Sequence, residues 1–435
     1  MAGENPLTGG AVRAAVTEAL ATTTPVAVCL GGGADSAVLA WAARARPVRA
    51  VFVDHGLAGS GRLAAAAAAV ADRVGLELSL VAAPVDDGPS LEGRAREARV
   101  AALSRFRGDD EWLATGHSAD DQAETVLAHL LRGAGTPGLA GIAPSRFPWV
   151  RPLLGFSRAE LRAVAVELEL PFVDDPANDD LRHLRNRLRR EVIPNLEAEY
   201  NPKLREALVR TAALLAADDA ELSRLADGVV ITERLGAMLL PIPVLTTLAA
   251  PIASRVVRRA LRRFLDPYAG SHADVGRVLG LAAAGSGRET LSRGVTAEVE
   301  GPYVALHAVA LIPPGPIHLA VPGSVAWAEW RLETTRPESG STHPTGAQLL
   351  EPALTRGGVD VRPAVAGDRI ALRSGSKLVR DAMSEAGIPR RLRPVWPVIT
   401  VGAKIAAVPA VRVAPWACPT GPDAVAVTMI ERDHT

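Results

Sequence analysis

The chain has 435 residues, of which 48% are hydrophobic, so it can bury a large core and is expected to form two to four domains. Its 48 basic residues balance its 48 acidic ones, so overall charge neither indicates nor excludes a nucleic-acid partner. The two cysteines, Cys29 and Cys418, form no CxxC pair, which argues against a disulfide framework or a thiolate metal site. Without a signal-peptide pattern or a membrane-length apolar run, we expect a cytoplasmic protein with no membrane contact.

The first half of the chain alternates short apolar runs with helical patterns. The predicted strands are 26–30, 48–53, 76–81 and 112–115. The predicted helices are 35–45, 62–74, 91–106 and 119–131. This alternation predicts an α/β fold with a doubly wound parallel sheet, in which ligands bind beyond the carboxyl ends of the strands.

The second half has a different pattern. A helical pattern runs from residue 158 to about 225, and a second, all-helical stretch follows to about residue 284. Residues 313–316 are predicted to be a Pro-rich linker. Short apolar runs at 317–323 and 404–414 indicate a small mixed α/β domain, and 336–346 is predicted to be a loop. The predicted domains are 1–214 (α/β), 215–312 (helical) and 313–435 (small mixed α/β).

Three consecutive glycines separate the first predicted strand from the first predicted helix. Such a loop turns tightly, with positive φ expected at Gly33, and leaves N–H groups open at a helix N-terminus, where phosphate oxygens are favoured. The loop has neither the Gly-Lys-Ser/Thr ending of kinase-type loops nor the GxGxxG spacing of dinucleotide folds. A plain strand–turn–helix connection is the alternative. The candidate nucleotide-binding residues are Gly31, Gly32, Gly33, Ala34, Asp35 and Ser36.

Two stretches carry a resemblance to a known family. GGGADS at 31–36 resembles the SGGxDS loop of the PP-loop ATP-pyrophosphatases, and HSADDQAET at 117–125 resembles the HxxDDxxET motif of tRNA(Ile)-lysidine synthases. Further family blocks follow in order over nearly the whole chain: VDHGL (53–57), ARxxR (95–99), RPLL (151–154), DDPANDDLRHLRNRLRREVIP (174–194) and GIPRRLRPVWPVI (387–399). The chain departs from the family at Gly31 (usually Ser), Ala58 (Arg), Val100 (Tyr) and Ala410 (Gly).

The resemblance implies an ATP-dependent ligation of free L-lysine to C2 of the wobble cytidine in the tRNA(Ile) with a CAU anticodon. An adenylated tRNA would be the intermediate, AMP and pyrophosphate the by-products, and lysidine would change codon reading from AUG to AUA. ATP and Mg²⁺ are the implied cofactors. The metal would arrive with ATP rather than occupy a dedicated protein site, with Asp35 placed to assist the metal or the substrate amine. The sequence leaves a homodimer open.

The candidate catalytic residues are Asp35, His117, Asp120, Asp121 and Glu124. The last three place three carboxylates within about one helical turn, and crowded acids repel one another unless a cation lies among them. The resemblance supplies such cations in the lysine ammonium groups and the metal. A carboxylate or His117 would take the proton of the attacking amine. A structural role is the alternative, because the helix dipole favours acids in the first turn.

Arginine-rich stretches give candidate tRNA contacts. Residues 181–190 hold five arginines and no acid, and 254–264 place arginines along one helical face. Residues 361–412 form a third basic patch, with ten basic residues against three acidic. A solvated surface face is the alternative for such a stripe. The candidate tRNA-binding residues are Arg96, Arg132, Arg185, Asn186, Arg189, Arg255, Arg258, Arg259 and Arg262.

Other functions compete with this interpretation. A tRNA thiolase of the same superfamily needs reactive cysteines, and the positions of Cys29 and Cys418 disfavour it. An amidotransferase-coupled nucleotide synthetase needs a glutaminase partner and offers no reason for the arginine stripes. A non-catalytic tRNA-binding homologue would explain Gly31, but the intact motifs at 34–36 and 117–125 argue against it.

Overall fold

The computed structural model describes residues 9–57, 59–86, 91–175, 180–266, 268–308, 310–336, 346–421 and 423–432. Ala58 and most of the predicted loop at 336–346 lie outside these residues. The chain forms two compact units, Met1–Glu221 and Leu222–Thr435. None of the helices in the described ranges combines the length and the apolar composition that crossing a membrane requires.

The first unit contains the predicted parallel sheet, with strand order β3-β2-β1-β4-β6-β5 among the described residues. All neighbouring pairs are parallel except β5 and β6. The strands are β1 (Val26–Cys29), β2 (Val48–Asp54), β3 (Leu78–Ala82), β4 (Trp112–Thr115), β5 (Ser145–Arg146) and β6 (Trp149–Val150). The predicted fold class and its first four strands are therefore confirmed.

Helices cover both faces of this sheet, as a doubly wound fold requires. The described helices up to residue 227 are α1 (Gly9–Ala19), α2 (Ala34–Ala43), α3 (Ser60–Val74), α4 (Leu91–Phe106), α5 (Ala119–Leu131), α6 (Thr136–Leu139), α7 (Arg158–Glu167), α8 (Leu184–Arg187), a π-helix (Leu188–Val192), α9 (Ile193–Glu199) and α10 (Leu204–Asp227), within which the boundary of the two units falls. Side chains of α1, α2, α3 and α7 form one core with Val26 and Val28, whereas Ala27 packs on the other face with Leu103 of α4. Because β1 is buried on both faces, it appears in the sequence as an unbroken apolar run.

The second unit has antiparallel sheets. Its first sheet has the order β7-β8-β11-β10-β9 in the described residues, formed by β7 (Thr232–Arg234), β8 (Ala237–Pro241), β9 (Arg288–Thr290), β10 (Thr296–Glu300) and β11 (Tyr303–His307). The helices packed on it are α11 (Ile242–Thr247), α12 (Ala250–Leu265) and α13 (His272–Ala284). The helical middle segment is confirmed, but β7 and β8 lie in the stretch predicted to be all-helical. They were missed because they are short and joined by a two-residue turn, in which Leu235 has an unusual φ of 48°.

The remainder of this unit is mixed α/β, as predicted. Its strands are β12 (Ile317–Leu319), β13 (Gly323–Trp327), β14 (Trp330–Thr335), β15 (Gln348–Leu350), β16 (Val359–Pro363), β17 (Arg369–Ala371), β18 (Ser376–Leu378), β19 (Pro397–Val401), β20 (Lys404–Val408), β21 (Arg412–Val413) and β22 (Val425–Glu431), with α14 (Val379–Glu385). Trp327, Trp330 and Trp396 are buried in its core. Between β20 and β21, Ala410 has a φ of 58°, which explains why glycine is common there in the family that the sequence resembles.

One ion pair links the first sheet of this unit to the segment before β19. Arg391 Nε donates to Glu300 Oε1 at 2.7 Å, and both side chains are only 7% exposed. A second nitrogen of Arg391 donates to the carbonyl oxygen of Leu235 in the β7–β8 turn. Arg391 therefore faces the interior, and the basic patch predicted at 361–412 loses this member as an RNA contact.

Replacing Arg391 by methionine should lower the free energy of unfolding by about 3 kcal/mol or more, because Glu300 would stay buried without its cation. Urea denaturation of the two proteins measures this difference. Arg390→Met is the matched control, since Arg390 is the exposed neighbour and its loss should change stability by only about 0.5 kcal/mol. Equal stability loss in both variants would contradict a special role of the buried pair.

Candidate active site

The glycine loop connects β1 to α2 at the carboxyl edge of the parallel sheet. Gly32 has a φ of +79°, and a Cβ there would lie 2.6 Å from the carbonyl oxygen of Leu63 in α3. Gly33 has a φ of −91°, so the expectation of a positive φ at Gly33 was wrong by one residue. The loop approaches α3 so closely at Gly32 that only glycine fits there.

The same loop presents N–H groups at the start of α2. Gly33 is the N-cap residue, and no side chain in the described ranges caps the helix. The first-turn N–H groups, from Ala34 to Ser36, have no acceptors within the helix, which suits an anionic ligand. The Ser36 hydroxyl donates to Gly33 O at 2.9 Å and accepts from Gly31 N at 3.1 Å, so it braces the loop. Its direct contact with phosphate stays a prediction.

The acidic motif begins α5, on the connection that follows β4. A Cβ on Gly116 would lie 3.1 Å from the backbone of Asp35 and Ser36, so this connection packs directly against the first turn of α2. Asp121 accepts hydrogen bonds from the backbone N (2.8 Å) and the hydroxyl (3.1 Å) of Ser118, the N-cap residue. One oxygen of Asp121 therefore has a structural role at the start of the helix, which was the alternative considered for these acids. The missing side chain at Gly116 lets the two motifs meet.

Arginines supply the cations that the crowded acids require. Asp121 Oδ1 lies 2.8 Å from Arg158 and 2.7 Å from Arg185, and Glu124 accepts from Arg185 at 2.8 Å and Arg189 at 2.6 Å. Glu124 is only 2% exposed. Burial would raise the pKa of Asp121, but Arg185 and Arg158 outweigh burial and lower it. The cations predicted beside these acids were lysine ammonium groups or a metal, and Arg185 and Arg189 were predicted to contact RNA.

Asp120 has a different environment. Its Oδ2 accepts from the backbone N of Arg158 at 2.8 Å, at the start of α7, and its Oδ1 lies 3.1 Å from Arg205 Nε. Arg158 and Arg205 were not predicted as site residues. Only Arg158 had a sequence signal, since it stands four positions after the RPLL block, where a helix begins.

Asp35 has a carboxylate oxygen that lacks a hydrogen-bond partner in the described structure. This oxygen is the buried Oδ1, whereas Oδ2 lies 3.6 Å from Arg158. Burial raises the pKa of Asp35 to about 6, although Arg158 opposes the rise. A hard cation accompanying ATP fits an unpartnered carboxylate oxygen beside a phosphate-binding loop. No cluster of three metal-ligating side chains occurs in the described residues, so Mg²⁺ would depend on the phosphates for its other ligands.

His117 lies at the same edge. Its Nδ1 is 2.8 Å from Thr115 Oγ1, at the end of β4. Burial lowers the pKa of His117 to about 4, with Asp121 opposing the change. The ring is therefore neutral at pH 7 and is a weaker base than an exposed histidine.

The predicted RNA contacts lie in different environments. Arg96 and Arg132 are exposed in the first unit, whereas Asn186 is buried and donates to Asp180 O at 2.9 Å. In α12, Arg258 donates to Gly270 O at 2.7 Å. Arg259 donates to the carbonyl oxygens of Ala226, near the end of α10, and of Val229, just after it. Arg255 donates to Pro251 O at 3.0 Å. Arg262 is exposed, so the predicted stripe is part structural and part surface.

This parallel sheet, with its glycine loop and acidic helix, has the architecture of a PP-loop ATP-binding domain. A family model described as a PP-loop domain matches residues 11–196, and one described as the TilS substrate C-terminal domain matches 359–424.

Two curated relatives extend the match. A tRNA(Ile)-lysidine synthase of Mycolicibacterium paratuberculosis is 45% identical over 53% of this chain and 72% of its own. Another, from Solibacter usitatus, is 32% identical over 87% of this chain and 92% of its own. A solved TILS C-terminal domain is 21% identical over 27% of this chain and 97% of its own, with a TM-score of 0.25. The chain belongs to the tRNA(Ile)-lysidine synthase family and is an enzyme.

Replacing Gly32 by alanine should cost about 1–3 kcal/mol of stability and abolish ATP binding, because the added Cβ meets Leu63 and resists positive φ. Gly33→Ala should weaken ATP binding while changing stability by less than about 1 kcal/mol, since the nearest protein atom to its Cβ is 4.0 Å away. Calorimetric titration with Mg-ATP and urea denaturation separate the two effects. Gly31→Ser, with 3.9 Å of clearance, is the tolerated control. Normal ATP affinity in both Gly32→Ala and Gly33→Ala would rule out the loop assignment.

The raised pKa of Asp35 predicts a pH-dependent stability change in Asp35→Asn. Because the pKa of Asp35 rises from its ordinary value of 3.8 to about 6 on folding, the carboxyl group costs stability that accumulates as the pH rises from about 4 to about 6 and is constant above that, and asparagine lacks this penalty. The free energy of unfolding of the variant should therefore match that of wild type near pH 4 and exceed it by up to about 3 kcal/mol at pH 8. Denaturation of the ligand-free proteins measures this difference. Asp174→Asn is the control, because Arg162 lowers the pKa of the exposed Asp174 and the trend should be small and reversed. A difference that does not change with pH would contradict the assigned environment.

Proposed function

We propose that the chain ligates free L-lysine to C2 of the wobble cytidine of the CAU-anticodon tRNA(Ile), with ATP as the activating substrate. The observation that supports this most is the junction of the two motifs. The first turn of α2 packs on Gly116, and Arg158 contacts both Asp35 and Asp121. A phosphate-binding loop and a family-specific acidic helix thus share one site.

The proposed chemistry follows from the charges around the loop. When bound, Mg²⁺ would neutralise charge on the ATP phosphates, and Asp35 Oδ1 is the protein oxygen placed to hold it. The loop N–H groups would bind the pyrophosphate as the cytidine O2 takes the AMP group. The lysine ε-amine then displaces AMP from C2. Attack requires the neutral amine, so a carboxylate of the site or His117 takes its proton, and the lowered pKa of His117 makes the ring a weaker base than an ordinary histidine.

Cys29 supports ligation over sulfur transfer. The residue ends β1 and is half-buried, and burial raises the pKa of its thiol to about 12. A thiol with this pKa is protonated at neutral pH and is a poor nucleophile, because the thiolate is the reactive form. This environment favours the lysine-ligating interpretation over a tRNA thiolase.

The direct test incubates the purified chain with ATP, Mg²⁺, L-lysine and a transcript of the CAU-anticodon tRNA(Ile). We expect lysidine in the digested tRNA, with AMP and pyrophosphate in equal amounts. Reactions without lysine should stop at the adenylated tRNA. Two controls, L-ornithine in place of lysine and an initiator tRNA with the same anticodon, should give little product. ATP cleavage without any nucleoside change would refute the proposal. We expect the activity in the cytoplasm, and a homodimer stays a prediction.

We further propose that the exposed part of α12 contacts tRNA phosphates, and this prediction separates Arg262 from Arg259. Arg262→Ala should weaken cognate and non-cognate tRNA binding alike and reduce the log–log salt slope by about one. Arg259→Ala should instead lower stability, because the carbonyl oxygen of Val229 loses its donor and that of Ala226 in α10 loses one of two. Fluorescence anisotropy at several salt concentrations and thermal denaturation measure the two effects. Unchanged affinity and slope in Arg262→Ala would make that residue part of an ordinary solvated surface.

A further inference from the structure

Arg158 is the residue on which the acids of both motifs converge. Its guanidinium lies 2.8 Å from Asp121 Oδ1, 3.5 Å from Glu124 Oε1 and 3.6 Å from Asp35 Oδ2. Its backbone N donates to Asp120 Oδ2 at 2.8 Å. One residue at the start of α7 thus contacts four carboxylates that belong to two helices, α2 and α5.

The loss of Arg158 would affect these carboxylates unequally. Asp121 and Glu124 also contact Arg185 and Arg189, which come from the segment that contains α8 and the π-helix. In the described part of the chain, the only ion pair of Asp35 within 4 Å is with Arg158. Asp35 is therefore the acid whose position depends most on this arginine.

The packing around Arg158 makes the residue suitable for coupling. Leu161 and Val164 of α7 are buried in the same core as Ala37 and Val38 of α2, so the backbone of Arg158 is fixed relative to the glycine loop. A planar guanidinium offers several donors in a rigid arrangement and can hold three carboxylates at once, which an ammonium group does less well. The contact therefore fixes a distance between the nucleotide half of the site and the acidic helix.

We propose that Arg158 is a positioning residue that holds Asp35, and with it the glycine loop, in register with the Asp121–Glu124 pair. Through this contact it couples ATP binding to the half of the site that receives the cytidine and the amine. The inference rests on the proposed function for its catalytic consequence, but its effect on ATP binding can be measured without turnover.

The experiment compares Arg158→Met and Arg158→Lys with wild type. Arg49→Met is the matched control, because Arg49 makes a two-point pair with Glu111 at 2.7 and 2.6 Å. The Arg49 side chain is 34% exposed, close to the 31% of Arg158. Arg49 lies at the amino end of β2, whereas the site lies at the carboxyl ends of the strands. Three quantities are measured for each protein: the Kd of Mg-ATP by calorimetry, the Kd of tRNA by anisotropy, and the rate of AMP transfer to tRNA.

We expect Arg158→Met to weaken Mg-ATP binding about 10-fold, in the range of coupling between sites, with tRNA affinity unchanged. AMP transfer should fall about 100-fold, the size of effect produced by a misplaced reacting group. Arg158→Lys should recover part of the ATP affinity. Arg49→Met should lose stability and keep both affinities and the rate.

A double variant tests whether Arg158 acts through Asp35. If it does, Asp35→Asn combined with Arg158→Met should bind Mg-ATP no more weakly than Asp35→Asn alone. Independent, additive losses would overturn the inference, as would an unchanged ATP affinity in Arg158→Met. Weakened tRNA binding with normal ATP binding would instead make Arg158 a phosphate contact. If wild type and Arg49→Met formed no lysidine, the proposed function would fail, while the ATP titrations would still decide the role of Arg158.

Discussion

The site depends on the neutralisation of four carboxylates by four arginines. Asp35, Asp120, Asp121 and Glu124 come from two helices and lie close enough to share partners. Their partners are Arg158, Arg185, Arg189 and Arg205. Taking charges out of water costs several kcal/mol per ion, so such a cluster is a weak way to stabilise a fold compared with apolar packing. Its presence at the carboxyl edge of a parallel sheet is better explained by the reaction than by folding.

The cluster also divides the acids into different chemical roles. Asp121 is saturated by arginines and by the N-cap, and its lowered pKa keeps it ionised, so it is better suited to orient groups than to accept protons. Asp35 contacts a single arginine at longer distance and keeps one buried oxygen without a partner. Acids of the same type on adjoining helices thus differ because their neighbours differ. In the proposed function, this asymmetry would favour the nucleotide and its cation beside α2, with α5 holding the geometry.

The sequence predicted the parallel sheet well because its signals are local. Buried strands such as β1 are continuous apolar runs, and the loop and acidic motif lie where strands end. The partners of charged groups could not be predicted, because guanidinium groups in α7, α8 and the π-helix contact carboxylates 37 to 65 positions away in sequence. The position that requires glycine was predicted at Gly33 and lies at Gly32, where a positive φ and the carbonyl oxygen of Leu63 in α3 both exclude a side chain.

The arginine stripes show why composition overestimates an RNA-binding surface in this chain. With only three lysines, arginine performs nearly every task that needs a long cation, including the binding of backbone carbonyls. Arg258, Arg259 and Arg391 each donate to a carbonyl oxygen outside the helices and strands, those of Gly270, Val229 and Leu235, and buried carbonyls need such donors. A charged stripe on a helical wheel gives no sign of this, because the acceptors lie in other segments. The predicted RNA contact of α12 therefore rests on exposed arginines such as Arg262, which are fewer than the sequence pattern indicates.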